Sequence, residues 1–216
     1  MTPHVTFTFD NGPTPGVTEG VLDLLARRGI AATFFVIGSK LLDPTATALA
    51  RAAHAAGHWI GNHTFTHAVA LGDDPDPSRA RHEIEATQDL IGPLSHPDKL
   101  FRPYGKSGTL GPHLLSRAAA DLLLASCYTC VLWSSVPGDW RDPDGWVDRA
   151  VADIAARERT VLVLHDVPNA CLPRLGELIA RLDDLGVVYE QAFPDDVVLT
   201  RAGRRVNLSA GHVADA

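Results

Sequence analysis

Short runs of apolar residues alternate with longer segments of helical periodicity along most of this chain. The runs VTFTF at 5–9 and TVLVL at 160–164 are rich in β-branched residues, which is typical of strands. Between such runs, apolar residues recur at helical spacing, as Val21, Leu24 and Leu25 do before Gly29. The pattern predicts strands at 5–9, 32–37, 58–60, 99–101, within 122–133, at 160–164 and at 187–189. It predicts helices at 17–28, 44–56, 77–91, 111–120, 146–157 and 173–185.

The repeated order of strand and helix favours an α/β fold with a mostly parallel sheet. A continuously apolar strand such as TVLVL is expected where both faces of the sheet are covered. Two architectures fit this order, namely an open doubly wound sheet and a closed or nearly closed barrel. The turn at 10–13, after the first strand, lacks the glycine spacing of a dinucleotide-binding site.

The alternation of strands and helices stops near residue 194. We therefore predict a single domain over residues 1–194 and a C-terminal extension over residues 195–216. Within the extension, 197–200 and 206–208 could form a small hairpin, and a flexible tail is expected after it.

Composition places the chain among globular proteins, since 45% of its 216 residues are hydrophobic and 21% are charged. The 19 basic and 26 acidic residues give a net charge of −7, which argues against nucleic acid and membrane surfaces as partners. No run approaches the ~18 apolar residues of a membrane span, and residues 1–10 lack a signal-peptide pattern, so we expect a cytoplasmic protein. The oligomeric state stays open. Cys127 and Cys130 lie in an apolar run, and we interpret them as buried, reduced thiols.

Chemically capable side chains lie just past the ends of five predicted strands. The carboxyl ends of parallel strands meet at one rim of an α/β fold, and active sites are built there. The sequence therefore predicts one site at this rim. Its candidate residues are Asp10, His63, His67, Arg102, Asp139 and His165.

Each of these residues also has a purely structural interpretation. His63 and His67 are four residues apart, so on a helical turn they would share a face and could bind one metal ion. Such a pair taken alone is more often structural. Residues 10–13 taken alone are a turn signal, Arg102 could be an ordinary salt-bridge partner, and Trp140 could simply be core. The prediction of a site depends on the whole set.

Five motifs, in order, resemble those of the polysaccharide deacetylase family, also called the NodB homology domain or carbohydrate esterase family 4. The resemblance covers about residues 4–190. It implies a distorted (β/α) barrel, complete or incomplete, and metal-dependent deacetylation. The motifs are Thr8-Phe9-Asp10-Asn11-Gly12-Pro13, His63-Thr64-Phe65-Thr66-His67, Phe101-Arg102-Pro103-Tyr104-Gly105, Gly138-Asp139-Trp140 and Leu162-Val163-Leu164-His165.

The resemblance implies a role for each matching residue. The catalytic group consists of Asp10 as general base, Arg102 as the residue that orients it, His165 as general acid and Asp139 as the carboxylate that tunes the acid. The substrate group consists of Tyr104, whose backbone N–H would bind the oxyanion, and of Trp140 and Leu164 as walls of an acetyl pocket. The metal ligands implied are Asn11, His63 and His67.

These residue types suit the hydrolysis of an amide. Two imidazoles and one oxygen leave open positions on a divalent metal, which can polarise a carbonyl and acidify water. The resemblance implies zinc, with cobalt or nickel as alternatives. Asp10 can take the proton of the water, and a charged His165 beside Asp139 can protonate the leaving amine.

The chain departs from the family pattern at three places. Asn11 stands where the family has an aspartate, and an amide oxygen can bind a metal only without contributing charge, so we expect weaker metal binding. Asp10 could instead become the ligand, or the site could hold no metal. Arg102 and Pro103 are adjacent, whereas the family has one residue between them. Val136 stands where the family has an earlier aspartate.

The predicted function is that of a hydrolase of carbon–nitrogen bonds other than peptide bonds, which removes an acetyl group from an N-acetylated sugar or oligosaccharide. Two alternatives stay open. One is a hydrolase of a small non-sugar amide, formamide, cyclic imide or ureide on the same fold. The other is a sugar-binding protein in which Asn11 has abolished catalysis.

Overall fold

Nine strands form one curled sheet in the computed structural model, which describes residues 2–74 and 76–214. The hydrogen-bonded order is β6-β1-β2-β3-β4-β5-β8-β9, and β7 also pairs with β1. All pairings among β1 to β7 are parallel, whereas β8 pairs antiparallel with β5 and β9, so the predicted mostly parallel sheet is confirmed. The strands are β1 (His4–Asp10), β2 (Thr33–Val36), β3 (Trp59–Asn62), β4 (Leu100–Phe101), β5 (Thr129–Val131), β6 (Arg159–His165), β7 (Val188–Glu190), β8 (Val198–Arg201) and β9 (Arg204–Arg205).

Six α-helices lie between the strands of the described residues, and most begin within two residues of their predicted positions. Sequence caps explain several ends. The side chain of Asp43 accepts the N–H of Thr45 at the start of the second helix, and Gly29 ends the first helix with a φ of 63°. The helices are α1 (Thr18–Arg28), α2 (Pro44–Ala55), α3 (Pro77–Ile91), α4 (Arg117–Ala125), α5 (Trp146–Ala155) and α6 (Leu172–Asp184).

The predicted helix at 111–120 is wrong in its position. Residues 112–114 form a single 3-10 turn, and α4 begins only at Arg117. The reason is a cap, because the Oγ of Ser116 accepts the N–H of Ala119 at 3.2 Å. The helix then runs to Ala125, through residues that the apolar pattern assigned to the following strand.

The sheet curls until its far side reaches β6. After β5, the N–H of Ser135 donates to the carbonyl of Val161, and the N–H of Val163 donates to the carbonyl of Ser135. The predicted distorted (β/α) barrel is therefore confirmed, as a curled and incomplete barrel. This closure places the carboxyl ends of β1, β3, β4 and β6 around one mouth.

Alternation along β1 separates the core from the site. Phe7 and Phe9 point outward and belong to a buried cluster with Trp146 of α5. Successive side chains of a strand point to opposite faces, so Thr8 and Asp10 point into the barrel. A single strand thus supplies both a packed outer layer and the inner polar groups.

The segment after residue 194 contributes to the sheet through β8, which pairs with β5 at Cys130 and Val131. Further on, the N–H of Ala214 donates to the carbonyl of Leu115. The domain boundary at 194 and the flexible tail stay predictions, and residues 215–216 of that tail lie outside the described residues.

The interpretation of two neighbouring cysteines as buried thiols is half wrong. Cys130 lies buried in β5, and burial raises the pKa of its thiol. Cys127 is exposed, because it precedes the strand in a turn with a φ of 60°. Among the residues that the structure describes, no helix is both long enough and apolar enough to cross a membrane.

Candidate active site

The ends of the strands bring most of the predicted site residues to one cavity. Asp10, the last residue of β1, is paired in register with His165, the last residue of β6. His63 directly follows β3, and Arg102 directly follows β4. The predicted residues that line the cavity are Asp10, Asn11, His63, His67, Tyr104, Trp140 and His165.

Asp10 is a buried carboxylate held by Arg102. The Nη1 of Arg102 donates to Asp10 Oδ1 at 2.9 Å and to Thr8 Oγ1 at 2.7 Å, while its Nη2 donates to the carbonyl of Leu132. The guanidinium also lies 4.1 Å from the centre of the Phe35 ring. Burial disfavours the charge on Asp10, but the charge of Arg102, together with His63, His165 and the Arg102 hydrogen bond, outweighs burial and holds the pKa of Asp10 below its ordinary value. Asp10 is thus ionised at neutral pH.

His63 and His67 face the same space beside Asp10. The Nδ1 of His63 donates to the carbonyl of Arg102 at 2.8 Å, which leaves Nε2 at 3.5 Å from Asp10 Oδ2. The ring centres of the two histidines are 4.7 Å apart. Burial lowers the pKa of His63, and burial together with His63 lowers the pKa of His67 to about 3. Both rings are therefore neutral, which is the form that binds metal ions.

The helical turn that the spacing of these histidines suggested is wrong. Residues 63–67 form an irregular loop in which Thr64 and His67 have φ values of 67° and 54°. The loop is fixed at its start, since Asn62 Oδ1 accepts the N–H of Thr64 at 3.0 Å. The two imidazoles come together through this loop geometry and not through helical periodicity.

Asn11 has a backbone in the left-handed region and a buried side-chain oxygen. Its φ is 74°, and its Oδ1 is buried without a hydrogen-bond partner in the described part of the chain. A buried acceptor with no partner is costly, so it is expected to bind something that the protein atoms do not supply. The two neutral imidazoles line the same cavity as Asn11, and an oxygen with two imidazoles suits a divalent cation.

The charge of this ligand set is low. Within residues 2–74 and 76–214, no group of three or more His, Cys, Asp and Glu side chains could hold a metal ion. A cation held by His63 and His67 could take the amide oxygen of Asn11 as a third donor, with the charge of Asp10 close by. The residues fit a divalent metal, held more weakly than by an all-charged set.

Asp139 and His165 form a second buried pair, at the end of the strand next to that of Asp10. Asp139 Oδ1 accepts from the Nδ1 of His165 at 2.8 Å, which leaves Nε2 as the open ring nitrogen. Burial opposes the charge on His165, but the hydrogen bond and charge of Asp139 raise the pKa of His165 above its ordinary value. The indole of Trp140 packs edge-on against the imidazole at 4.4 Å and is 36% exposed.

Leu164 does not line the cavity, so its predicted place as an acetyl-pocket wall is wrong. It points outward into the helix-covered core, while Val163 and His165 face inward. In this strand Val163 forms the wall, together with Trp133 and Val136 from the segment after β5. The apolar composition of that segment gave no signal for Trp133.

Asp166 is a further buried group that the sequence did not single out. Its Oδ2 accepts the hydroxyl of Thr18 at 2.6 Å, and its carboxyl group occupies the space that a side chain on Gly12 would need. Burial raises the pKa of Asp166 to about 7. The carboxyl group of Asp166 thus packs against Gly12, in the turn that carries Asn11.

Comparison with known proteins assigns the family. The sequence model of the family described as polysaccharide deacetylase matches residues 2–115. A chitooligosaccharide deacetylase of Rhizobium leguminosarum bv. trifolii is 34% identical over 165 residues, which are 76% of this chain and 71% of that protein. This chain belongs to the polysaccharide deacetylase family.

Solved structures agree with this assignment. A family 4 carbohydrate esterase from Streptomyces lividans, in complex with acetate, superposes with a TM-score of 0.73 at 26% identity, over 94% of this chain and 98% of that one. A family 4 acetyl xylan esterase from Clostridium thermocellum, in complex with a cobalt ion, gives 0.69 at 27% identity over 87% of each chain. The predicted family, fold and enzyme class, a hydrolase of carbon–nitrogen bonds other than peptide bonds, are confirmed.

Proposed function

We propose that this chain is a metal-dependent deacetylase of N-acetylated sugars, with oligomers of N-acetylglucosamine as its substrate class. The observation that carries the proposal is a pair of groups with opposite proton preferences at one cavity. Arg102 helps to hold Asp10 in its ionised form, and Asp139 favours the protonated form of His165. A base and an acid whose pKa values are pushed apart are what amide hydrolysis needs. The names of the relatives supply the sugar substrate.

We assign the metal site to His63, His67 and the Oδ1 of Asn11. When bound there, a divalent metal would polarise the substrate carbonyl and lower the pKa of water, with zinc as the first candidate and cobalt or nickel as alternatives. Three features support the assignment: the bond of His63 Nδ1 to the Arg102 carbonyl leaves Nε2 toward Asp10, the pKa of His67 keeps its ring neutral, and the Asn11 oxygen lacks a partner in the described chain.

The protein's own side chains then move two protons. Asp10 accepts a proton from the water as the water oxygen attacks the acetyl carbon. His165 gives the Nε2 proton to the amide nitrogen as the carbon–nitrogen bond breaks, so the products are acetate and the free amine. Asp139 stabilises the charged imidazole before that transfer. We assign the backbone N–H of Tyr104 to the developing oxyanion.

The cavity has an apolar wall against which the acetyl methyl group of the substrate can pack. Val163 and Trp133 are buried on the cavity wall, and Trp140 stands half-exposed at its edge against His165. We propose that the methyl group lies against this wall, while the sugar ring remains toward the open side near Trp140. The exposed indole can cover an apolar sugar face while the polar rim stays hydrated.

The test is acetate release from N-acetylglucosamine oligomers by purified protein loaded with Zn²⁺ or Co²⁺. The Asp10→Asn and His165→Asn variants should each lose at least roughly 10²-fold in kcat, the scale of general acid–base catalysis. His113→Asn is the matched control, because His113 is an imidazole outside the cavity. No acetate from any acetylated sugar with metal present would overturn the proposal.

Two other outcomes would reassign the site. Hydrolysis of small amides or cyclic imides, with no acetate from sugars, would assign the cavity to small non-sugar substrates. Tight sugar binding without turnover, together with turnover in an Asn11→Asp variant, would assign a sugar-binding role to the present chain. The amide at residue 11 is the feature that makes this second comparison informative.

A further inference from the structure

Glu83 of α3 reaches out of its helix to the loop between the two histidines. Its Oε2 accepts the N–H of Phe65 and the N–H of Thr66, both at 2.8 Å, and its Oε1 accepts the hydroxyl of Thr66 at 2.7 Å. Glu83 itself is 5% exposed. A buried carboxylate that accepts three hydrogen bonds from one short segment is a strong local anchor.

The anchored residues lie midway between His63 and His67. No regular element holds this loop, since residues 63–67 are neither helix nor strand and two of them have positive φ values. The separation of the imidazoles therefore depends on what fixes residues 65 and 66. His63 has its own restraint in the carbonyl of Arg102, whereas the ring of His67 packs against the rings of His63 and Tyr104.

A second set of contacts, from the 3-10 turn at 38–42, holds the same loop. The N–H groups of Gly38 and Ser39 donate to the carbonyls of Thr64 and Phe65, both at 2.9 Å. Glu83 thus accepts hydrogen bonds from the N–H groups of the loop, while the 3-10 turn at 38–42 donates hydrogen bonds to the carbonyls of the loop. The backbone between the histidines is satisfied on both sides, and α3 supplies the only charged partner among the described contacts of residues 64–66.

We propose that Glu83 is a positioning residue that sets the distance between the imidazoles of His63 and His67 by fixing residues 65 and 66. This inference rests on the proposed metal-dependent function, and no family pattern used above includes Glu83. Because α3 also carries exposed residues, the chain offers a matched control. Glu85 lies two residues away on the same helix, has a side chain that is 40% exposed, and forms an ion pair with Arg81.

The experiment compares Co²⁺ binding and amide exchange in four variants of the full chain. Glu83→Ala removes all three acceptors, and Glu83→Asp withdraws the carboxylate by one methylene. Glu83→Gln keeps an oxygen that can accept both N–H groups, and Glu85→Ala is the control. Co²⁺ affinity is measured from visible absorption, and the exchange of the Phe65 and Thr66 amides is measured by NMR on metal-free protein.

We expect Glu83→Ala and Glu83→Asp to lose about 10- to 100-fold in Co²⁺ affinity, the range seen when an outer-shell partner of a metal ligand is removed. Glu83→Gln should stay closer to the unsubstituted protein, and Glu85→Ala should match it. In the metal-free protein, the Phe65 and Thr66 amides should exchange faster in the first two variants only. If Glu83→Ala fails to fold, Glu83→Asp and Glu83→Gln carry the comparison.

Equal Co²⁺ affinity and equal exchange in all four variants would overturn the role of Glu83 and leave the proposed function intact. No Co²⁺ binding by the unsubstituted protein would instead remove the proposed metal site, and this inference with it. A lower melting temperature with unchanged affinity would show that Glu83 only stabilises the fold, which also overturns the proposal.

Discussion

Asp139 holds His165 by two hydrogen bonds, one to the ring Nδ1 and one to the backbone N–H, both at 2.8 Å. The carboxylate is fully buried, so its charge acts on the imidazole with little screening. Because β6 and β1 are neighbours and His165 is in register with Asp10, this pair lies next to Asp10 and Arg102 at the mouth of the cavity. The two strand ends thus present one group that keeps a proton and one that accepts it.

Replacing Asp139 with Asn should shift the pH dependence of catalysis. Asp139 raises the pKa of His165, so the acid form persists to higher pH, and activity falls as the pH rises through that pKa. In the Asp139→Asn variant, the falling limb should move to lower pH and kcat at neutral pH should drop by roughly 10²-fold. The measurement is kcat for acetate release as a function of pH. An unchanged falling limb would exclude Asp139 from this role, and Asp121→Asn, an exposed change, serves as control.

Replacing Arg102 with Met should cost stability as well as activity. The variant would leave Asp10 buried without its ion partner, a change that typically lowers the free energy of unfolding by about 3–5 kcal/mol. Arg117→Met, at an exposed ion pair, should cost less than about 1 kcal/mol. Urea unfolding measures both values.

The stability difference between the unsubstituted protein and the Arg102→Met variant should also depend on pH. The pKa of Asp10 is lowered in the folded protein, so its contribution to stability is present above its unfolded value and is lost as the pH falls through the folded value. The gap between the unsubstituted protein and Arg102→Met should therefore narrow at acid pH. A difference in the free energy of unfolding that stays constant down to acid pH would mean that Arg102 does not stabilise the fold through its ion pair with Asp10.

Several residues of the cavity and most of the helices and strands could be predicted from the sequence, whereas the start of α4 could not. Asp10, His63 and His165 follow strands whose β-branched, apolar runs are strong local signals, so their meeting at one rim followed from the parallel order. The start of α4 was missed because the cap at Ser116 decides it, and an apolar run does not distinguish a helix face from a buried strand.

Other features of the site depend on contacts distant in sequence. Val163 could have been found, since residues two apart on a strand share a face and His165 was already placed inward. The anchor from Glu83 and the carboxyl of Asp166 behind Gly12 could not, because each joins segments that only the folded chain brings together. No local pattern encodes either contact.

Replacing Asn11 with Asp should strengthen metal binding. A carboxylate would add a negative charge to a set that now has two neutral imidazoles and an amide, and we expect Co²⁺ affinity to rise about tenfold or more. The control is Asn169→Asp, because Asn169 has a similar φ of 61° but is exposed in another loop. Calorimetric titration with Co²⁺ measures both. Equal or weaker binding by Asn11→Asp would show that residue 11 is not a ligand.

Replacing Gly12 with Ala should destabilise the turn that carries Asn11. The new methyl group would overlap the carboxyl group of Asp166, which is fixed by Thr18, and overpacking of this kind costs about 1–3 kcal/mol. Gly176→Ala is the control, because a Cβ at this position would meet only Leu24, at 3.9 Å. This substitution should stabilise α6 by about 0.5–1 kcal/mol, since Ala favours a helix more than Gly does. Thermal unfolding of both variants checks this, and a Gly12→Ala protein as stable as the parent would contradict the packing of Asp166.

A metal titration of activity tests the proposed metal-dependent deacetylation without an intermediate step. Protein stripped with a chelator is titrated with Co²⁺ while acetate release from N-acetylglucosamine oligomers is followed. We expect no release before addition, a rise to a plateau near one ion per chain, and no rise in a His63→Ala, His67→Ala double variant. Release that is unchanged by the chelator and by loss of both imidazoles would refute the proposed metal-dependent function.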